Sequence, residues 1–313
     1  MCRPSVDIRP PRGFNSVMIP DHDSQSPRSD SPNVNAAALP DARPVGAMPA
    51  PFARPAERRG FPEIGMTRAA AGLDVLIISA FVIAIEFVVM AGGMTRYLME
   101  RFPSIDIFWG NAVMGAAILA ALIVMIRLRG QGWSDVGLAA VRPGRVALGV
   151  LAAVPLCYAA VLIVVPLALT LIGTSADELI AERSEFFEEV PEIPPWTAAV
   201  FAMFVGLHEE TLFRGFVLGR LQSLLRSNAG AIVASSFIFG GLHAYQGMVG
   251  VIQTTTVGLV LALLTVRMRT IWPAIIAHGF FDTLGLVLIP WVREYLSEYS
   301  DQFITTSAAA AAG

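Results

Sequence analysis

The sequence predicts an all-α fold, a polytopic membrane helix bundle of about seven transmembrane helices preceded by a disordered N-terminal tail. Three observations carry this. The 313 residues are 55% hydrophobic and 15% charged, where a soluble domain carries about 25% charged residues. The apolar residues are gathered into runs near the roughly 20 residues that a helix needs to cross the hydrocarbon core. The first 65 or so residues have a different composition, rich in Pro, Ser, Asp, Arg and Ala.

That tail shows little periodicity and cannot bury enough apolar surface to offset its ordering entropy, so residues 1–65 are expected to be a disordered cytoplasmic tail. It has no apolar core of the kind a signal peptide needs, and the first membrane segment is expected to serve as an uncleaved anchor. Nine arginines precede or open that segment (Arg3 to Arg68) and argue for a cytoplasmic N-terminus. Residues 66–303 form the expected helix bundle. Residues 304–313, ending in Ala308 to Ala312 and Gly313, read as a low-complexity tail.

The candidate membrane segments are 71–93, 106–127, 146–172, 196–218, 229–246, 248–267 and 271–291. Arginine concentrates in the loops 127–145, 219–228 and 267–270, which with the tail predict a cytoplasmic side, although Arg96 and Arg101 fall in the opposite loop. With seven spans the C-terminus is expected outside. The 174–195 loop is acidic, with Asp177, Glu178, Glu182, Glu185, Glu188, Glu189 and Glu192 against Arg183, and reads as a solvated connection or a short surface helix. All 22 basic residues are arginine, which excludes lysine chemistry. The two cysteines, Cys2 and Cys157, are far apart, so neither a disulfide framework nor a cysteine metal site is expected. No nucleic-acid partner is expected.

Three polar groups interrupt the apolar sequence: His208 to Arg214, Phe239 to His243, and His278 to Asp282. They hold three of the four histidines. Ionisable residues inside membrane segments are costly and mark functional sites. At about 100° per residue, Glu210 and Arg214 share a helix face and can pair, while Glu209 points elsewhere. Glu210 and Arg214 are therefore assigned a supporting role and Glu209 the chemistry, since a free carboxylate in a low-dielectric site suits a general base. His278 and Asp282 also share a face, where the carboxylate can fix the imidazole tautomer or serve as a metal ligand. Glu209, His243, His278 and Asp282 together can activate a water to attack a peptide carbonyl, or hold a divalent metal such as zinc that does so. His208 and Glu209 open like H-E-x-x-H, but the second histidine would fall at Leu212, so this is not a zincin helix. His208, Asn111, Gln253 and Thr254 to Thr256 read as polar links between helices, and Glu86 as an ion-pair partner or cavity residue. On straight helices His278 would lie about 10 Å and His243 about 20 Å from the cytoplasmic side, so the groups meet only if segments tilt or break.

The ordered set E-E-x-x-x-R, F-x-x-x-H and H-x-x-x-N/D resembles the CPBP family, the type II CAAX prenyl endopeptidases and related bacteriocin-processing proteins. Here it is Glu209 to Arg214, Phe239 to His243 and His278 to Asp282, within a protease-like core at 196–290. The resemblance implies an intramembrane metalloendopeptidase of a bacterial plasma membrane, acting on a peptide or protein substrate in or near the lipid bilayer. It implies Glu209 as the base, with His243 and His278 as ligands or oxyanion stabilisers. Asp282 stands where the prenyl endopeptidases carry asparagine, which adds a negative charge and points toward a metal held by Glu209, His243, His278 and Asp282. The intact set favours the enzyme over a non-catalytic immunity or scaffold protein of the same fold. A proton-coupled transporter would also use buried Glu and His, but the inverted repeats common in transporters are not evident.

Overall fold

A computed structural model of the chain describes residues 66–91, 101, 106–190 and 192–312. The expected disordered tail and nearly all of the 93–105 loop lie outside the described residues. Within them the chain is helical and no strand occurs. The elements are α1 (Arg68–Ala91), α2 (Asp106–Leu128), α3 (Pro143–Ile172), α4 (Ala176–Glu189) and α5 (Pro195–Glu210). A π-helical segment (Thr211–Val217) continues α5 into α6 (Leu218–Leu225). Then follow α7 (Asn228–Leu242), a short 3₁₀ turn (Ala244–Gln246), α8 (Gly247–Met268) and α9 (Trp272–Ala312).

Helix boundaries follow local chemistry. Pro143 and Pro195 sit in the first turns of α3 and α5, where a missing N–H costs nothing. Ser227 caps α7 by accepting the Gly230 N–H at 3.0 Å. Ser175 and Glu178 form a reciprocal capping box on α4. The acidic loop is thus a 14-residue helix rather than a bare connection, and the Ser-x-x-Glu signature that starts it was readable in the sequence. The alanine-rich C-terminal stretch continues α9 to Ala312, as expected of the best helix former.

Among the described residues, five helical spans are long and apolar enough to cross a membrane: in α1, in α2, in α3, in the 3₁₀ turn continued by α8, and in α9. The other two expected spans take a different form. Segment 196–218 is part of a continuous rod from Pro195 to Leu225 that changes winding at its centre, where Glu210 and Arg214 are buried. Segment 229–246 ends early, because α7 is only 15 residues long, about 22 Å. Large apolar side chains cover the outside, among them Leu76, Phe87, Leu151, Leu162 and Leu171. A soluble domain rarely exposes so contiguous a surface, whereas lipid accommodates it. The chain is an integral membrane protein by this architecture.

The arginine loops gather at one end of the bundle. Arg129 Nε donates to Asp74 Oδ1 at 3.0 Å, and Arg220 Nη2 donates to Gln131 Oε1 at 2.6 Å. Arg145 Nη2 reaches Met268 O at 2.8 Å, and Thr270 Oγ1 reaches Gly137 O at 3.1 Å. The sequence reading gave Arg129 and Arg220 to topology and passed over Asp74. In the structure Asp74 and Arg220 are fully buried partners. At the other end, α4 contacts the 243–249 turn and α9.

α5 and α9 share the most extensive helix contact. A Cβ on Gly206 would lie 2.8 Å from Ile275 O, and one on Gly279 would lie 2.4 Å from Met203 Sδ. Only glycines permit that approach, and it carries the polar ends of the two helices together. A core of Phe213, Phe216, Leu122, Ile78 and Phe239 surrounds the π segment from the other side.

Candidate active site

The site is assembled from three places: the end of α5 with its π continuation, the end of α7, and the early part of α9. All seven residues of the π segment are buried. Such segments recur at functional sites because they re-aim side chains without breaking the rod.

Arg214 Nη1 donates to Glu210 Oε1 at 2.7 Å, with both side chains 1% or less exposed. Arg214 Nη2 also donates to Gly258 O at 3.2 Å on α8, and its guanidinium lies 4.5 Å over the Phe239 ring. The same Glu210 Oε1 accepts from His278 Nδ1 at 2.7 Å. Glu210 is therefore more than a neutralised partner of Arg214: it orients a histidine on another helix.

The other ring nitrogen of His278 faces two carboxylates. Nε2 lies 3.3 Å from Asp282 Oδ2 and 3.7 Å from Glu209 Oε2. The expected His278–Asp282 face is present. Glu209 Oε2 is buried and accepts no hydrogen bond from the protein, although the Glu209 side chain as a whole is 17% exposed. Buried acceptors without a protein partner are uncommon, and a catalytic role is one of the accepted explanations.

His243 caps the end of α7. Its Nδ1 donates to Phe239 O at 2.8 Å. A carbonyl can only accept, so the proton sits on Nδ1 and Nε2 is the end left for chemistry. The Phe239 ring joins this histidine to the other two groups, with centroids 4.7 Å from His243 and 6.0 Å from His278. The separation expected for straight helices is bridged by this ring. Tyr245, mostly exposed, stacks on the outer face of His243 at 6.0 Å.

Several polar residues do not behave as links between helices. His208 Nδ1 donates to Phe204 O at 3.0 Å in its own helix, while its ring packs against Gly115 of α2. Thr254 and Thr256 donate to Gly250 O and Ile252 O within α8, both at 2.7 Å. In each case the i−4 carbonyl was nearer than any neighbour. Gly240 makes a close approach to α8, since a Cβ there would fall 1.8 Å from Thr255 Oγ1, whereas Gly241 faces open space. Cys157 is buried in α3 as a free thiol.

Zinc needs nitrogen and oxygen donors about 2.0–2.2 Å from one point. Among the described residues no group of three or more His, Cys, Asp or Glu converges in that way. His278 Nδ1 donates to Glu210, the arrangement that orients a ligating histidine, and its Nε2 faces Asp282 and Glu209. As they stand, Glu209, His243, His278 and Asp282 are not gathered around one point.

Two carboxylates on adjacent residues, Glu210 bound through Oε1 and Glu209 without a hydrogen-bonded partner at Oε2, thus face one histidine, with a second histidine across a phenylalanine. Residues 191–284 match the family model of the type II CAAX prenyl endopeptidases, Rce1-like. The Rce1-like segment contains every motif residue, from Glu209 to Asp282. Over that segment the chain is similar to the Rce1-like family. Helices α1 to α4 lie outside it. No curated protein and no solved structure matches the chain.

Proposed function

We propose that the protein is an intramembrane endopeptidase in which Glu209 activates a water molecule. The observation that carries this is Glu209 Oε2, which has no hydrogen-bond partner and lies 3.7 Å from His278 Nε2, next to a Glu210 whose Oε1 takes both Arg214 and His278 while its own Oε2 is also left open. Glu209 takes a proton as the water oxygen attacks the peptide carbonyl, and later passes it to the leaving amine. His243 meets the substrate through Nε2, and Asp282 with Glu210 holds His278 in place. A peptide entering from the bilayer supplies the scissile bond.

The test is cleavage of a peptide library, with and without prenylated CAAX ends, by full-length protein in liposomes. Glu209→Gln is expected to lower the rate by about 10²–10⁴-fold, the range of a general base, while its thermal unfolding stays that of wild type. His243→Ala is expected to be similarly impaired. Metal content measured on the same samples decides the separate proposal of a divalent ion: stoichiometric metal, lost in His243→Ala together with cleavage, replaces the metal-free scheme. Full biological function in cells expressing Glu209→Gln would overturn the protease reading in favour of a non-catalytic scaffold.

A further inference from the structure

Helix α4 lies outside the Rce1-like segment, yet it grips the turn that carries His243. Glu182 Oε1 accepts the Val249 N–H at 3.0 Å. That amide belongs to the first turn of α8, where no intrahelical acceptor is available and a carboxylate is favoured by the helix dipole. Arg183 Nη2 donates to Gln246 O, three residues earlier. Gln246 N in turn donates to His243 O at 2.9 Å. The grip is thus one hydrogen bond from the His243 backbone.

Gly247 lies between these two anchors. It has φ +78°, and a Cβ there would be 2.4 Å from Glu182 Oε1. Both the backbone conformation and the space leave glycine as the residue that fits. The far end of α4 is fixed as well: Arg293 Nε donates to Phe187 O at 2.7 Å, and Arg293 Nη2 to Val190 O. Arg293 is on α9, the helix that carries His278 and Asp282. One amphipathic helix therefore ties the His243 turn to the His278 helix. The His243 ring needs such support, because it hangs at the end of α7 between Phe239 and the exposed Tyr245.

We infer that Glu182, assisted by Arg183, is a positioning residue for His243, holding the 243–249 turn so that Nε2 of His243 faces the substrate. This rests on the protease reading above. Glu182 touches no reacting atom and acts through the Val249 amide and the turn.

The experiment uses the full chain in liposomes and compares wild type with Glu182→Ala, Glu182→Gln and, as a control, Glu188→Ala at an exposed position on the same helix. Two readouts are taken: peptide cleavage kinetics, and hydrogen exchange of residues 243–249 with the α5 and α9 amides as the folding reference. In Glu182→Ala the turn is expected to exchange faster while α5 and α9 stay protected, and kcat to fall by about 10–100-fold, the scale of a small misplacement of a catalytic group. KM is expected to stay within about twofold, as for an interaction made only in the transition state. Glu182→Gln keeps an acceptor oxygen and is expected to recover most of both readouts, and Glu188→Ala to match wild type. Unchanged exchange at 243–249 in Glu182→Ala, or faster exchange with unchanged kcat, overturns the inference. A wild type that cleaves nothing while Glu182→Ala still loosens the turn overturns the catalytic role through failure of the protease reading, a pattern distinct from the first two.

Discussion

His278 Nδ1 donates to Glu210 Oε1 across 2.7 Å, and the same oxygen accepts from Arg214 Nη1 at 2.7 Å. One carboxylate oxygen therefore joins α9 to the π segment inside an apolar bundle. The consequence reaches Glu209. With Glu210 engaged by a cation and an imidazole, the adjacent carboxylate has neither as a hydrogen-bonded partner. Two chemically identical side chains are differentiated by which helix face each occupies.

Removal of one member of that network is expected to be expensive. Glu210→Ala leaves Arg214 buried with Gly258 O as its remaining acceptor, and breaking a buried pair in this way costs about 3–5 kcal/mol. Thermal unfolding in detergent should show a clear loss for Glu210→Ala and for Arg214→Ala. The double variant should lose less than the sum, with a coupling of about 0.5–3 kcal/mol. Additive losses would mean that the two side chains do not stabilise each other.

A second buried network stands at the arginine-rich end. Asp74 is 1% exposed and faces Arg220, fully buried, and Arg129, about one third exposed. Asp74→Ala removes the carboxylate from a guanidinium that sits 3.5 Å over the Phe216 ring and cannot reach water. A destabilisation of about 3–5 kcal/mol is expected, whereas Arg129→Ala, losing the more exposed partner, should cost much less. Equal effects from the two variants would contradict this division. The measurement is the unfolding midpoint of each, at matched detergent concentration.

Composition and the three motifs made the helical class and the membrane setting legible, because a 3.6-residue period and buried charge are local signals. The partition of roles was less so. The period placed Glu210 with Arg214, but no sequence rule says that His278 of α9 shares that oxygen. The approach depends on Gly206 and Gly279 meeting across helices, a tertiary fact. The π segment was invisible for the same reason, since its sequence reads as ordinary apolar helix. Asp74 was passed over because its partners lie in distant loops. The capping box of α4 was legible, but seven carboxylates drew attention to charge rather than to Ser175 and Glu178.

Gly240 offers a steric prediction. A Cβ at this position would fall 1.8 Å from Thr255 Oγ1 and 2.9 Å from Val251 O. Gly240→Ala should therefore push α7 away from α8, with an overpacking cost of about 1–3 kcal/mol. It should also lower cleavage by shifting His243. Thr255→Ala alone removes a buried hydroxyl that has no hydrogen-bond partner and should be close to neutral. Combined with Gly240→Ala it should restore part of the lost stability, because the nearest obstructing atom is gone. If the pair is no more stable than Gly240→Ala alone, the contact with Val251 O rather than Thr255 dominates, and the expectation fails. Unfolding midpoints of the four proteins decide it.

The capping box gives α4 a pH dependence with a definite sign. Hydrogen bonds from Ser175, backbone and side chain, hold the Glu178 carboxyl below its ordinary value of 4.5. A group with a depressed folded-state pKa stabilises the fold above its unfolded value, and that contribution is lost as pH falls through the folded value. The first turn of α4 should thus be best protected above about pH 4.5 and fray on acidification below it. Glu178 is fully exposed, so the effect is local fraying rather than global unfolding. Hydrogen exchange at residues 177–181, corrected for the intrinsic pH dependence of exchange, would show protection falling in wild type. Glu178→Gln, which has no titrating carboxyl, should give a flat profile across the same interval. Matching profiles in the two proteins would show that the box does not hold the helix start. If α4 does anchor the 243–249 turn, the acid-induced fraying should stop short of Glu182, because the Val249 and Gln246 contacts lie a full turn further along the helix.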